Sequence, residues 1–219
     1  MKVTPARLRK ALDRYAVDYK LVPGWDSPKI DPYNGRSDFV GVILHHTAGT
    51  NSLNYIVNSN PYAPVRACHF LVDRDGTVRV VSGVGAYHAG VGGPWQITNS
   101  VTVPRDGGNS RTYGIEIESL GTSPLINGKP GGMTVEQIVS TVRLNVALLD
   151  AMRPTWGLLY KAGRVIRHRD WANGRKVDTK QTLEWWQAVT DIGIRNRKNP
   201  QALEIAVRTF VKDHPKGVL

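Results

Sequence analysis

The segment FVGVILHH, from Phe39 to His46, is an uncharged apolar run that ends in two histidines. A continuous run of this kind, rich in β-branched residues, predicts a strand buried on both faces. His45 and His46 then lie at its carboxyl end, where open α/β sheets carry their binding sites. From position alone, either histidine is equally suited to act as a ligand.

A second segment, HRDWANGRKVD from His168 to Asp178, adds a histidine and a carboxylate far downstream. Two histidines and one carboxylate are typical of a hydrolytic zinc site, because three protein ligands leave one tetrahedral position for a water molecule. Lys176 precedes Asp178 by two residues, so on an extended backbone both side chains project to the same side. There the ammonium group could stabilise an oxyanion. Without an upstream histidine, His168 and Asp178 would be interpreted as a surface pair in a basic loop.

A third segment, YGIEIE from Tyr113 to Glu118, alternates between apolar and acidic residues. This alternation predicts a strand with Glu116 and Glu118 on the same face. A general base must lie within hydrogen-bond reach of the proton that it removes, which these residues alone do not establish. Either glutamate is therefore a candidate base, and a solvated pair is the alternative.

Five pieces of the chain, in order, resemble the type 2 group of N-acetylmuramoyl-L-alanine amidases, which share a fold with the peptidoglycan recognition proteins. They cover roughly residues 38 to 190, and they are VILHHTAG from Val42, CHFLVDRDGTV from Cys68, YHAG from Tyr87, YGIEIE from Tyr113 and the His168–Asp178 segment. The resemblance implies an α/β fold in which helices flank a central mixed β-sheet.

The resemblance also implies the site residues. It implies one zinc ion per chain, bound by His45, His168 and Asp178, with Glu116 as general base and Lys176 stabilising the tetrahedral intermediate. Cys68 occupies the place where some members carry a functional tyrosine. The glutamate and the aspartate together are similar to the subgroup that relies on the glutamate instead.

Four further residues are candidate substrate contacts. The family often lines its groove with the histidine of the His-Ala-Gly piece, here His88, and His46 adjoins a ligand. Trp95 lies in residues 82–112, which are rich in Gly, Ser, Asn and Pro and predict one long functional loop. Trp171 lies within the ligand segment, so either tryptophan could stack on a sugar ring or line a peptide groove. The alternative for both is an ordinary place in the core.

The activity implied is hydrolysis of the amide that joins the lactyl group of N-acetylmuramic acid to the first L-alanine of the peptidoglycan stem peptide. A phage endolysin that lyses the bacterial host is the preferred expectation. The alternatives are a cytosolic amidase that trims recycled muropeptides and a non-catalytic module that only binds peptidoglycan.

The amino-acid composition limits the classes of partner that the chain is expected to bind. The 219 residues include 29 basic and 18 acidic ones, a net charge of +11 that favours polyanionic surroundings such as a cell wall. The basic residues are scattered and form no known nucleic-acid module, so no nucleic-acid partner is expected. A monomer is expected.

The first ten residues lack the apolar core of a signal peptide, and no apolar run reaches membrane-spanning length. The expectation is therefore synthesis in the host cytoplasm, no membrane insertion, and release to the wall through holin-type pores.

Three regions are predicted. Residues 1–37 carry a helix that starts at Thr4-Pro5, with an apolar stripe extending to Tyr19, followed by a loop. Residues 38–195 form the catalytic domain, with a long helix that begins at a capping box, Thr134 to Gln137. Residues 196–219 carry a last helix, which either docks on the domain or offers a surface to a partner.

Overall fold

The computed structural model describes residues 2–35, 37–59, 66–156 and 160–219, and its centre is a six-stranded sheet. The strands of this sheet are β1 (Tyr19–Leu21), β2 (Gly41–His46), β3 (Phe70–Val72), β4 (Val78–Val80), β7 (Thr112–Ile117) and β8 (Val165–Arg167). Their spatial order is β1-β4-β3-β7-β2-β8. The β3–β4 pair is antiparallel and the other pairs are parallel, so the predicted mixed α/β sheet is confirmed.

Helices and one small hairpin surround the sheet. The hairpin consists of β5 (Trp95–Thr98) and β6 (Val101–Val103). The helices are α1 (Pro5–Arg14), α2 (Gly108–Arg111), α3 (Val135–Trp156), α4 (His168–Trp171), α5 (Leu183–Arg195) and α6 (Pro200–Asp213). Among the described residues, no helix is both long enough and apolar enough to cross a membrane.

The central strand β2 is covered on both faces, as its apolar run predicts. Val42 and Leu44 belong to the main core with α3, whereas Ile43 belongs to a second cluster that includes Val101 and Val103 of the hairpin. Because side chains alternate along a strand, His45 shares the face of Ile43, opposite α3. The first predicted histidine therefore lies on the hairpin side of the sheet.

Strand register brings the other candidates to the same edge. His45 is opposite Glu116 on β7, and Leu44 is opposite Arg167 on β8, so His168 follows in line with His45. Since β7, β2 and β8 are parallel, their carboxyl ends meet at one edge of the sheet.

The capping box is confirmed, and two sequence predictions are corrected. Thr134 Oγ1 accepts from the Gln137 amide at 3.0 Å, and Gln137 Oε1 accepts from the Thr134 amide at 3.0 Å. Residues 82–112 are not one loop, because they contain β5, β6 and α2. Tyr19 does not extend the first helix, since α1 ends at Arg14 and Tyr19 pairs with Val78 in the sheet.

Both terminal segments pack on the main core. Leu8 and Leu12 of α1 are buried in the cluster that contains α3, and β1 adds an edge strand to the sheet. Leu203, Val207 and Val211 of α6 are buried in the same cluster, so the last helix is docked. The division at residues 37 and 195 stays a prediction.

Arg74 connects the β3–β4 turn to the segment that borders the site. Its guanidinium donates to the carbonyls of Glu118, Gly128, Lys129 and Gly132 over 2.6 to 3.1 Å. One residue satisfies four backbone acceptors in this way, which fixes the course of residues 118–132.

Replacing Arg74 with methionine is expected to lower the free energy of unfolding by about 2 to 3 kcal/mol, because hydrogen bonds from a charged group are lost and partly buried carbonyls are left unpaired. Urea unfolding measures the loss. Arg79→Met is the control, since its ion pair with Asp73 is partly exposed and such pairs contribute about 0 to 1 kcal/mol. Equal losses in the two variants would contradict the anchoring role of Arg74.

Candidate metal centre and its pocket

Three buried side chains converge at the carboxyl edge of the sheet. His45 Nδ1 lies 3.0 Å from His168 Nδ1, and Asp178 Oδ2 lies 3.0 Å from His168 Nδ1 and 3.4 Å from His45 Nδ1. Four ligands at tetrahedral zinc distances are about 3.3 Å apart, so the three atoms have the spacing that such a metal needs. Within the described residues, this is the group of histidine, cysteine and acidic side chains that can hold a metal ion.

The opposite edge of each histidine ring is held by another group. His168 Nε2 lies 3.0 Å from the carbonyl of Ala89, and His45 Nε2 lies 3.1 Å from Nδ1 of His88. A carbonyl only accepts, so His168 Nε2 carries a proton and a neutral His168 ring presents a bare Nδ1 to the centre. Histidine ligands commonly have such an outer partner, so these contacts also fit a metal site.

The ionisation of the ligands suits a cation. Burial and the neighbouring His168 lower the pKa of His45 to about 4, so its ring is neutral at physiological pH. Burial alone raises the pKa of Asp178, but hydrogen bonds and charge interactions with the two histidines outweigh it and hold that pKa well below its usual range. A neutral ring and an ionised carboxylate are the forms that bind a divalent metal.

The three side chains open onto a cavity of about 690 Å³. Glu116 and Lys176 line this cavity together with the three candidate ligands. All five residues that the family resemblance implied are thus brought to one place. Glu118 lines a neighbouring cavity instead, where its Oε1 accepts from the Ser52 amide at 2.9 Å.

Glu116 has the environment of a proton acceptor. Its Oε2 atom is buried, and within the described part of the chain it has no hydrogen-bond partner. Burial first, and then the charge of Asp178, raise the pKa of Glu116 to about 8, while Lys176 acts in the opposite direction. A carboxyl with this pKa exchanges protons near neutral pH.

The raised pKa of Glu116 predicts a pH-dependent stability. Below the ordinary value of 4.5 both the folded and unfolded states are protonated, and as pH rises toward 8 the unfolded state ionises first. The metal-free wild type therefore loses stability over this range, by about a few kcal/mol at most. Glu116→Gln does not titrate, so its stability advantage over the wild type is expected to be larger at pH 9 than at pH 4. Chemical unfolding in the presence of a chelator measures it. An equal difference at both pH values would contradict the raised pKa.

The structure separates the four predicted substrate contacts. His46 and His88 line the cavity, whereas Trp95 and Trp171 do not. Trp171 is only 2% exposed and donates to the carbonyl of Gly90, and the Trp95 ring packs against Gly41. Trp171 belongs to the buried cluster that contains Val101 and Val103 of the hairpin, and Trp95 is partly buried against that cluster. The predicted stacking on a sugar ring in the cavity is therefore corrected to a packing role for both tryptophans.

The cavity also contains residues that were not expected from the sequence. Tyr55, Asn109 and Arg175 line the cavity, and Asn109 Oδ1 also accepts hydrogen bonds from the amides of His88 and Ala89. Arg175 directly precedes Lys176, so its position in the basic segment was a usable signal. Asn109 and Tyr55 carried none, because only the fold brings them to the site.

A family model matches the part of the chain that carries this site. The family model described as N-acetylmuramoyl-L-alanine amidase (Amidase_2) matches residues 35–181. No curated protein matches the chain significantly.

Solved structures of amidases are similar to the chain at low identity. The N-acetylmuramoyl-L-alanine amidase LysC from Clostridium intestinale URNW is 19% identical, with a TM-score of 0.49, over 79% of this chain and 97% of that one. The endolysine amidase LysCS from the same organism is 18% identical, with a TM-score of 0.49, over 79% of this chain and 95% of that one. The amidase AmiD from E. coli is 15% identical, with a TM-score of 0.43, over 82% of this chain and 91% of that one.

The family model covers more than half of the chain, and the matched range contains the three candidate ligands, Glu116 and Lys176. The chain therefore belongs to the N-acetylmuramoyl-L-alanine amidase family, whose members hydrolyse an amide of peptidoglycan.

Proposed function

We propose that the chain is a zinc-dependent amidase that cleaves the bond between the lactyl group of N-acetylmuramic acid and the L-alanine of the stem peptide. One observation carries the proposal. Two histidine nitrogens and a carboxylate oxygen converge at 3.0 to 3.4 Å in one cavity, together with a lysine and a glutamate whose Oε2 atom is buried. A binding module needs no such combination of ligands, base and cation.

The site divides the chemistry among its residues. His45, His168 and Asp178 would hold the zinc ion, which polarises a carbonyl and lowers the pKa of water to near 7. Glu116 accepts the proton of the attacking water and returns it to the nitrogen of the departing L-alanine. A base whose pKa lies near the working pH combines the ionised form with a useful proton affinity, which suits the value of about 8.

Lys176 supplies positive charge where the carbonyl oxygen becomes an oxyanion. It lines the same cavity as Glu116, and its charge acts on both Glu116 and His45. Loss of one oxyanion donor typically reduces turnover about 100- to 1000-fold. His46, which also lines the cavity, stays a proposed substrate contact.

Mass spectrometry of digested peptidoglycan tests the proposed bond. The purified protein is incubated with insoluble peptidoglycan, with and without a chelator, and the soluble products are identified. The proposal expects stem peptides that begin with a free L-alanine amine, released only without the chelator. Cleavage of a sugar linkage, or silence toward walls and soluble muropeptides alike with metal bound, would overturn it.

We further propose that the enzyme is a phage endolysin that acts on assembled cell walls. Its net charge of +11 favours a wall that carries phosphate and carboxylate polymers. Turbidity loss of purified walls, compared with hydrolysis of soluble muropeptides, separates this role from muropeptide recycling. An endolysin clears the walls, whereas a recycling enzyme acts on the soluble fragments alone.

A further inference from the structure

His88 contacts the metal ligand His45 from behind, and we propose that it is a positioning residue that fixes the tautomer of that ligand. In the proposed arrangement, His88 Nδ1 accepts a hydrogen bond from His45 Nε2, which leaves His45 Nδ1 bare and directed at the metal. The inference rests on the metal ion of the proposed function. It differs from the sequence-based expectation that His88 contacts the substrate.

The direction of each hydrogen bond follows from one backbone carbonyl. His88 Nε2 lies 3.0 Å from the carbonyl oxygen of Thr112, and a carbonyl can only accept. His88 Nε2 therefore carries the proton. In a neutral imidazole the other nitrogen is then bare, so His88 Nδ1 is an acceptor.

The rings of His45 and His88 meet through one nitrogen atom of each. His45 Nδ1 faces the other two ligand atoms and must be bare to bind the metal, so in that ring Nε2 carries the proton and needs an acceptor. The bare Nδ1 of His88 lies 3.1 Å from His45 Nε2, and the two rings are perpendicular with centroids 5.3 Å apart. His45 Nε2 must donate across this contact, because two facing bare nitrogens would repel each other.

The strand beneath the ring leaves room for this arrangement. Gly114 lies directly under His88, and a Cβ atom at that position would come within 2.3 Å of the ring. Any side chain at residue 114 would therefore displace His88 from both Thr112 and His45. The glycine of the YGIEIE segment thus has a local physical reason, which is the position of the His88 ring.

Ala89, which follows His88, orients the other histidine ligand, His168. Asn109 Oδ1 accepts from the amides of His88 and Ala89 at 2.8 and 2.7 Å, which fixes this stretch of backbone. The carbonyl of Ala89 then accepts from His168 Nε2 at 3.0 Å. Both histidine ligands are thus oriented by one short segment, His88 and Ala89, held by one asparagine.

Zinc affinity tests the role of His88 directly, by competition with a chromophoric chelator. His88→Leu removes the acceptor and is expected to weaken zinc binding about 10- to 100-fold, the usual cost of losing an outer partner of a ligand. His88→Asn keeps an acceptor oxygen near the place of Nδ1 and is expected to restore most of the affinity. Tyr87→Phe, on the same segment and the same cavity wall, is the control and should bind zinc as the wild type does.

The outcomes separate this inference from the proposed function. Failure of the wild type to bind zinc would overturn the proposed function. Tight zinc binding by both the wild type and a folded His88→Leu variant would overturn the role of His88 alone. Equal weakening in His88→Leu and His88→Asn, with both proteins folded, would also overturn it, since packing would then be what His88 supplies.

Ring-nitrogen NMR of the zinc-loaded wild type decides the case even where a variant does not fold. The inference expects a proton on Nε2 of both His45 and His88, with His45 Nδ1 bound to metal. A proton on His88 Nδ1, or coordination through His45 Nε2, would overturn it.

Discussion

Asp178→Asn is expected to weaken zinc binding strongly, because it removes a direct ligand and its charge. The loss should exceed the 10- to 100-fold that is typical when only the hydrogen-bond partner of a ligand is removed. The carboxylate lies 3.0 and 3.4 Å from the two histidine nitrogens and is 8% exposed, so water does not easily replace it. Turnover at limiting zinc should fall together with zinc occupancy. A catalytic zinc lowers the activation free energy by several kcal/mol, and each 1.36 kcal/mol is about a tenfold change in rate.

The control for this substitution is Asp191→Asn. Asp191 pairs with Arg195 on the partly exposed surface of α5, so the same chemical change there leaves the metal site intact. Zinc content is measured by elemental analysis after dialysis, and affinity by chelator competition. An Asp178→Asn variant that binds zinc as tightly as Asp191→Asn would contradict the ligand assignment.

Glu116→Gln is expected to lower kcat about 1000-fold, within the range of about 100 to 10,000 that general bases contribute, and to leave one zinc ion bound per chain. The amide has nearly the same shape as the carboxyl but cannot accept the proton of a water molecule. KM should change little, because the substitution removes an interaction that acts mainly in the transition state. Steady-state kinetics on a soluble muropeptide measure both constants.

Glu118→Gln is the matched control for Glu116→Gln. Glu118 is two residues further along the chain and accepts from the Ser52 amide outside the catalytic cavity, a bond that the glutamine oxygen can keep. Its kcat should stay close to that of the wild type. Similar losses in the two variants, or loss of zinc from Glu116→Gln, would contradict the separate roles of base and ligands.

The sequence predicted the mixed sheet, and the five residues named from the family resemblance lie around one cavity. The apolar run before His45 predicts the buried central strand, and the alternation around Glu116 predicts its neighbour. Parallel strands then bring their ends together, which register confirms through the pairing of His45 with Glu116. The alternation alone left Glu116 and Glu118 equivalent, and only the family resemblance favoured Glu116. The fold separates the two, because Glu118 turns toward Ser52.

Short elements and indirect contacts were not predictable. The hairpin strands β5 and β6 have four and three residues, too few to show a periodic pattern among glycines and prolines. The contact between His45 and His88 joins residues 43 positions apart, so no local signal marks it. Trp171 resembled a groove residue because it lies among the ligands in sequence, although its side chain turns into the core.

Zinc reconstitution tests the central claim most directly. The chelator-stripped protein is titrated with zinc while the release of free L-alanine amino groups from peptidoglycan is followed. We expect negligible release without zinc, a linear increase in release as zinc is added, and saturation at one zinc ion per chain. Full release by the stripped protein, or saturation that is unchanged when Asp178 is replaced, would contradict it.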